Sequence, residues 1–321
     1  MHRTILTGLV IVLITPLAFG QKERKTLQGS VPTLNGHRFV DNRIVDNPFL
    51  NSLFELRMGY GNSQRLRFPE IEIGDTVIRR TTGGLIFLNL NTRIQIKLKD
   101  WLTYQFEGGG SGRVGTDPGS LLTNGLNTFV GVYNGWKIRL YHDEKQYLST
   151  QVGVRTNNAT VTNIQRYVQQ ILDGVPSPNL SEDIFVLQGV WSLSYAYGAS
   201  SLLGFAMDTK LVYGDLFEPG KSGWTGSIGA AIDLNLYPKT SIPLGFSFAY
   251  AYANLPDFTT AQYNTESYFN TKIAFTQSEN FIISLETTTY KAPYLLGFRE
   301  IDQNEDTRVQ TFSLNMLIYF D

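Results

Sequence analysis

The sequence contains no cysteine and only three histidines, and these shortages exclude several kinds of chemistry. Without cysteine the chain forms no disulfide, thiol nucleophile, cysteine metal site or lipoprotein anchor. His2 lies in the N-terminal leader, His37 in an irregular segment and His142 in a predicted turn. None of these positions matches an active-site pattern of histidine with an acid and a hydroxyl. We assign no catalytic residue, metal site or cofactor, and we expect a protein that is not an enzyme.

Charge is also scarce and balanced. Charged residues make up 17% of the chain and the formal net charge is −1, whereas an ordinary soluble domain has about 25% charged residues. A nucleic-acid-binding surface needs a basic patch, and the sequence shows none, so we expect no nucleic-acid partner. Aromatic residues are plentiful instead, with 17 tyrosines and 20 phenylalanines. Such a composition suits aromatic girdles at a membrane interface.

Long apolar runs are missing except at the N-terminus. Residues 5–19 form an apolar stretch after His2 and Arg3, and it ends in the small-residue pattern Ala18-Phe19-Gly20. We interpret residues 1–20 as a signal peptide that is cleaved before Gln21. No other window approaches the ~18 apolar residues of a membrane helix. The mature chain is therefore exported, and it enters a membrane only as a closed barrel.

The clearest regular pattern is the stretch 85–98, LIFLNLNTRIQIKL. From Leu88 to Leu98 the even positions are apolar or threonine and the odd positions are polar. Strict alternation of this kind gives two faces only in a β-strand. Its length exceeds the ~5–6 residues of an ordinary strand and reaches the ~9–11 residues that a tilted strand needs to cross a membrane. The pattern therefore predicts one strand of a transmembrane barrel.

Similar stretches recur along the chain and predict an all-β, antiparallel, up-and-down barrel of twelve strands over residues 53–321. Short turns are predicted at 99–100, 142–145, 198–200, 238–241 and 277–280, and long loops at 61–84, 114–126, 156–183, 214–223, 254–267 and 292–306. Short periplasmic turns and long extracellular loops are typical of outer-membrane barrels. Arg65–Ile73 and Thr76–Thr81 suggest an additional hairpin, which would give fourteen strands.

Two stretches need separate interpretation. Asn134-Gly135 is a common hairpin turn, but alternation keeps its phase from Val130 to Leu140, so 127–141 is predicted as one strand. In the longest loop, Val161, Ile164, Val168, Ile171 and Leu172 recur at helical spacing and Gly174 ends the run. We predict a short helix there and expect it to pack against its own loops. The alternatives are that it covers the barrel mouth or binds a hydrophobic ligand or partner.

Residues 21–52 show no alternation. They begin with the charged run QKERK and become rich in Asn, Pro and Gly. They form either a loose periplasmic tail, which the composition slightly favours, or a plug inside the barrel. Two neighbouring strands place small residues inward, at Ser227, Gly229, Ala231, Gly245, Ser247, Ala249, Ala251 and Ala253. That wall leaves room for a solute, for a folded-in loop or for this segment.

The inward positions of the predicted strands carry charges of both signs. The candidates for lumen-facing residues are Glu55, Arg57, Arg93, Lys97, Glu107, Lys137, Arg139, Asp208, Lys210, Asp233, Lys272 and Glu286. Because small barrels are filled by side chains, mixed signs favour pairs that cross and fill the lumen. A segregated ladder of one sign would indicate an open channel instead.

The signal peptide, the alternating strands and the C-terminal strand ending in LNMLIYF resemble those of bacterial outer-membrane β-barrel proteins. In length and style the chain is similar to the barrels of Bacteroidota, a group of Gram-negative bacteria, or of the fatty-acid-transporter type. The resemblance implies insertion into the outer membrane, contact with its lipid and lipopolysaccharide, and recognition of the last strand by the barrel-assembly machinery. Asp321 departs from the class, in which phenylalanine is usually the last residue.

Two functions agree with this prediction. The first is a porin-like transport barrel that passes small or hydrophobic solutes through the lumen or a lateral opening. The second is a non-conducting structural or assembly barrel with a protein partner that the sequence does not name. An enzyme is the least favoured, because outer-membrane hydrolases need a histidine in the wall or at the outer rim and none is present there.

Overall fold

The computed structural model describes residues 30–67, 71–73, 76–78, 82–114, 125–162, 164–216, 220–256, 263–293 and 306–320, and within them twelve long strands form a closed antiparallel barrel. The predicted signal peptide, its cleavage point and residues 294–305 of the predicted loop 292–306 lie outside the described residues. The barrel strands are β3 (Ser52–Arg67), β6 (Thr82–Lys99), β7 (Leu102–Val114), β8 (Gly125–His142), β9 (Gln146–Thr162), β10 (Ser181–Gly198), β11 (Leu203–Asp215), β12 (Ser222–Asn235), β13 (Leu244–Pro256), β14 (Tyr263–Phe275), β15 (Phe281–Pro293) and β16 (Asp306–Phe320). Each strand pairs with its sequence neighbours, and β16 closes the ring on β3. The predicted fold class and strand number are confirmed.

The alternation in the sequence becomes the two faces of the wall. In β6, Leu88, Leu90 and Leu98 are 55%, 52% and 53% exposed on the outside, whereas Arg93 and Gln95 are 7% and 0% exposed on the inside. A leucine left in water forgoes about 1.5–3 kcal/mol of burial free energy. An outer surface built from such residues is stable in a lipid bilayer, because the lipid chains solvate apolar side chains.

The additional hairpin forms, but it does not join the wall. β4 (Ile71–Ile73) pairs with β5 (Thr76–Ile78) in a separate two-stranded sheet. β3, which precedes this hairpin in the sequence, pairs directly with β6, which follows it. The barrel therefore has twelve strands, and the alternative of fourteen is wrong.

The strand predicted across Asn134-Gly135 is continuous. β8 runs through both residues, with Asn134 opposite Phe106 of β7 and opposite Val154 of β9. Its unbroken pairing on both sides takes precedence over the local turn preference of Asn-Gly.

Two short helices connect strands. α1 spans Ile164–Leu172 and begins three residues later than predicted, because Val161 is still paired with Glu182 in the β9–β10 ladder. Ile171 and Leu172 are 52% and 67% exposed, so the expected packing of this face against the loops is not seen at these residues. α2 spans Tyr237–Thr240. Neither helix, nor any other in the described ranges, is long and apolar enough to cross a membrane.

The barrel has two distinct ends. We call one the turn end, where the connections 100–101, 143–145, 199–202, 236–243 and 276–280 lie, and the other the loop end. The strands extend further towards the loop end than predicted, as in β9 and β10, which stay paired up to Thr162 and Ser181. As a result the connection 216–221 is shorter than 236–243, and connection length does not alternate as strictly as the sequence suggests.

Residues 30–51, which we call the inner segment, lie inside the barrel. They enter at the turn end, where the Val31 amide donates to the Glu279 carbonyl and the Asn35 amide to the Glu144 carbonyl. A minimal hairpin of β1 (Thr33–Leu34) and β2 (His37–Arg38) turns at Asn35-Gly36, both with positive φ. This is the conformation that a type I′ turn requires. The chain then rises into the lumen and returns to start β3.

Candidate functional site: the lumen and its inner segment

Asp41 anchors the inner segment to the barrel wall. Its carboxylate pairs with the Arg93 guanidinium, and both side chains are buried. Arg93 also lies 2.9 Å from Glu55, so one wall cation serves two carboxylates. Asn47 donates to Asp41 at 2.6 Å and fixes the carboxylate from within the segment. Removing one partner of such a buried pair typically costs about 3–5 kcal/mol.

Other wall side chains bind the backbone of the inner segment. Lys137 donates to the Asn47 carbonyl at 2.8 Å, Lys272 donates to the Asp41 carbonyl, and Gln95 donates to the carbonyls of Phe49 and Asn51 at 2.9 and 2.7 Å. The segment has little regular structure of its own, so its carbonyl groups need partners from elsewhere. The wall supplies them, and this accounts for the long polar side chains buried at these positions.

The wall of small residues accommodates the middle of the inner segment. Val45 is 1% exposed and packs against Ala206, Ala231 and Ala249. A Cβ atom added to Gly229 would lie 2.9 Å from Val45 Cγ2, closer than real atoms approach. Asn42 donates to Ser247 at 3.1 Å and to Asn270 at 2.9 Å. The space that the sequence indicates along this wall is therefore filled by residues 42–45.

An aromatic cluster closes the turn end. Phe39 contacts His37 and Phe49, and Phe49 contacts Tyr147 of β9, with ring centroids 4.8–5.2 Å apart. His37 is fully buried, and burial lowers the pKa of its imidazole from 6.5 to about 4. Arg38 caps the neighbouring turn by donating to the carbonyls of Thr276, Gln277 and Ser278. The turn end is thus held by apolar packing and by hydrogen bonds to the connections.

These contacts do not describe a loose tail. Residues 31–42 and 47–50 are buried or half-buried at most positions, and the segment meets side chains from β6, β8, β11 and β14. A polar sequence without alternation gives no periodic signal for such packing, because its contacts are with distant residues. The composition therefore favoured a loose periplasmic tail over a plug, although these residues lie in the lumen.

The structure places the sequence-predicted lumen residues in three groups. Buried in the wall, and in several cases bound to the inner segment, are Glu55, Arg93, Lys137, Asp208, Asp233, Lys272 and Glu286. Half-buried around the space above the inner segment are Arg57, Glu107 and Lys210. Near the turn end are Arg139, which lies beside Tyr147, and Lys97.

Lys97 lies at the rim of the lumen, opposite Thr103 of β7, which is fully buried inside. Its ammonium lies 2.9 Å from Asp100 in the adjoining turn, and the two side chains are 45% and 79% exposed. The β6–β7 register shifts between Lys97 and Lys99, so the strict alternation ends there. Because Lys97 precedes this shift, its exposure comes from its place at the rim and not from a change of face.

Ion pairs organise the remaining charges. Arg57 lies 2.7 Å from Glu55, Lys272 lies 3.3 Å from Glu286, and Lys210 lies 2.9 Å from Asp46 of the inner segment. Asn270 and Asn315 donate to Glu286 at 2.6 and 2.7 Å. Much of the mixed charge that the sequence shows therefore appears as ion pairs inside the lumen.

Above the inner segment the lumen contains a cavity of about 370 Å³. We call it the upper cavity; its lining residues include Arg43, Asp46, Asn89, Asn91, Gly108–Gly110, Phe129, Tyr133, Arg155 and Asn157. This volume falls at the lower end of the ~300–1,000 Å³ of small-molecule sites. Within the described ranges no group of histidine, aspartate and glutamate side chains has the arrangement of a metal site.

Glycines in the wall keep the upper cavity open. A Cβ atom on Gly131 would lie 2.8 Å from the Asn157 amide oxygen, and one on Gly109 would collide with Asn91. The two amide side chains therefore lie flat against glycine backbone instead of projecting across the lumen. The Tyr133 ring lies over Gly135 and Gly153 in the same way.

Sequence reasoning missed three charged residues of the upper cavity. Arg155 follows Val152 and Val154, which face outward, so the alternation itself places Arg155 inside. Arg43 and Asp46 belong to the inner segment and had no pattern by which to find them. Only the tertiary fold brings them beside Lys210 and the upper cavity.

No protein-family model matches the chain, and no curated protein matches it. Among solved structures the fold is similar to a Pseudomonas aeruginosa FadL homologue, at 10% identity and a TM-score of 0.48, over 92% of this chain and 100% of that one. It is also similar to the translocator domain of the autotransporter NalP from Neisseria meningitidis, at 9% identity, a TM-score of 0.47, and coverage of 85% and 90%. The NanC porin is similar at 9% identity, a TM-score of 0.44, and coverage of 84% and 99%. These are distant likenesses among outer-membrane barrels, and they assign no cargo to this chain.

Proposed function

We propose that this chain is an outer-membrane channel for small polar solutes, and that the inner segment closes it in the state described here. The observation that carries the proposal is the division of the lumen into two parts. Below, the inner segment binds the wall through Asp41 and Val45. Above it lies the upper cavity with polar walls. The turn end then faces the periplasm, and the outer wall contacts membrane lipid and lipopolysaccharide.

The lining of the cavity favours polar solutes over hydrophobic ones. Apart from Phe129, Val132, Tyr133 and glycines, the residues around the cavity carry amide, hydroxyl or charged groups. An apolar solute would displace the water that solvates these groups and would offer them no hydrogen bonds in return. A lateral exit is also disfavoured, since β-ladder pairing runs around the entire ring in the described residues.

The contacts of the inner segment are suited to release. The chain enters from the turn end and is held largely by side chains, not by a β-ladder with the wall. Releasing it requires no wall strand to separate. Segments that open locally usually belong to the less stable parts of a protein. Movement of the segment would join the upper cavity to the turn end.

The alternative is a non-conducting barrel, and the buried ion pairs of the lower lumen are the observation that favours it. Arg93 with Asp41 and Lys272 with Glu286 fill the space that a solute would need. Such a barrel would serve structure or assembly through its loops. Conductance of the purified chain separates the two functions.

The experiment compares the full mature chain with a chain that begins at Asn51 in planar bilayers. The truncation leaves every wall strand intact, and heat-modifiable gel mobility reports whether the barrel has folded. We expect rare openings from the full chain and a steady ohmic current from the folded truncated chain. A truncated chain that folds but stays silent would contradict the channel function and support the alternative.

A further inference from the structure

We propose that the upper cavity binds a small hydroxylated carboxylate, with Arg43 and Arg155 as the residues that hold its anionic group. This deepens the proposed function by naming the solute class, and it rests on that function for the solute's passage but not for its binding. The charges around the cavity that no neighbouring group neutralises decide what it can bind.

The cavity has more cations than carboxylates. Its lining includes Arg43, Arg57, Arg93, Arg155 and Lys210 against Asp46, Glu55 and Glu107. Arg57 and Arg93 share Glu55, and Lys210 pairs with Asp46. No carboxylate within the described residues lies within 4.0 Å of Arg43 or Arg155. These two guanidinium groups are therefore the cations of the cavity that have no ion-pair partner there.

Both arginines line the cavity and are accessible from it. Arg43 belongs to the inner segment, and its residue is exposed where it borders the cavity. Arg155 is half-buried on β9, in electrostatic range of Lys210, whose own charge is neutralised by Asp46. Guanidinium groups bind carboxylates through two parallel hydrogen bonds, and such bonds strengthen away from bulk water.

The remaining lining suits hydroxyl groups. Asn89, Asn91 and Asn157 present amides that both donate and accept hydrogen bonds. Phe129 and the glycines Gly108–Gly110 provide one apolar, flat stretch of wall. An anion at the arginines with hydroxyl groups on the amides would satisfy both sets of groups at once. A neutral sugar would leave the arginines without a partner, and a cation would be repelled.

Binding can be measured in detergent, without requiring conductance. Isothermal titration calorimetry of the full mature chain would use glucuronate, glucose and inorganic phosphate as probes. The variants are Arg43→Gln and Arg155→Gln. Lys239→Gln is the matched control, because it removes one positive charge from the exposed helix α2 outside the lumen. Heat-modifiable mobility confirms that each variant is folded.

We expect glucuronate to bind the unmodified chain at least tenfold more tightly than glucose or phosphate. Each arginine variant should weaken glucuronate binding at least tenfold, and Lys239→Gln should change it less than twofold. Equal binding of glucuronate and glucose would overturn the role of the arginines, and equal binding of phosphate would overturn the role of the hydroxyl contacts. Absence of glucuronate binding to the unmodified chain would overturn the inference entirely. Binding without any bilayer current would leave this site standing and contradict the channel function.

Discussion

The strongest prediction concerns the charge on Asp41. The substitution Asp41→Asn removes that charge while keeping an oxygen to accept the hydrogen bond from Asn47. Arg93 then loses one of its two carboxylates and retains Glu55 at 2.9 Å. Breaking a buried ion pair costs about 3–5 kcal/mol, and the remaining contact with Glu55 favours the lower figure. At 1.4 kcal/mol per factor of ten, about 3 kcal/mol shifts the ratio of released to bound inner segment by roughly two orders of magnitude.

The assay is the open probability of single barrels in planar bilayers at neutral pH. The matched control is Asp100→Asn, which removes a carboxylate from the exposed pair with Lys97. Exposed pairs contribute about 0–1 kcal/mol, so the control should change open probability little. Both variants should keep the heat-modifiable mobility of the wild-type barrel, since no wall strand is altered. An open probability for Asp41→Asn equal to that of Asp100→Asn would refute the anchoring role of Asp41.

Three further predictions follow from the same contacts. Burial lowers the pKa of His37 to about 4 when the inner segment is bound, against 6.5 for a free imidazole. The contribution of His37 to binding of the inner segment is therefore complete above pH 6.5 and weakens by about 3 kcal/mol as pH falls to 4. Open probability should rise on acidification, and it should rise less in His37→Gln. Gly229→Leu should displace both Val45 and the Asp208 carboxylate, cost about 1–3 kcal/mol of binding free energy through overpacking and expose the inner segment to added protease. Gly131→Val should push Asn157 into the upper cavity and slow solute uptake by liposomes that contain the Asn51 truncation.

The wall was predictable because it is built from local pattern. Leu88, Leu90 and Leu98 face lipid and Arg93 faces the lumen as soon as one phase of the alternation is fixed. A single membrane-spanning strand has only two faces, so each residue's side follows from parity. The same reasoning kept Asn134-Gly135 inside one strand, where pairing with β7 and β9 is continuous.

The contents of the lumen were less predictable because they depend on contacts between distant residues. Parity places Arg93 inside but does not say that Asp41 will meet it. The inner segment satisfies its backbone through Lys137, Lys272 and Gln95, and nothing in its own sequence records these partners. At the rim, alternation gives the face of Lys97 but not its exposure. Lys97 lies opposite the buried Thr103, yet its side chain is 45% exposed and pairs with Asp100 of the adjoining turn.

The most direct test of the account is a reversible lock on the inner segment. The chain has no cysteine, so the pair Val45→Cys and Gly229→Cys introduces its only thiols, at positions where a Cβ on residue 229 lies 2.9 Å from Val45 Cγ2. That proximity is compatible with a bridge between the two side chains. We predict that oxidised barrels carry no current in planar bilayers and that a reductant restores channel openings in the same membrane. Equal current before and after reduction would show that the inner segment does not close the lumen, and silence in both states would contradict the channel function itself.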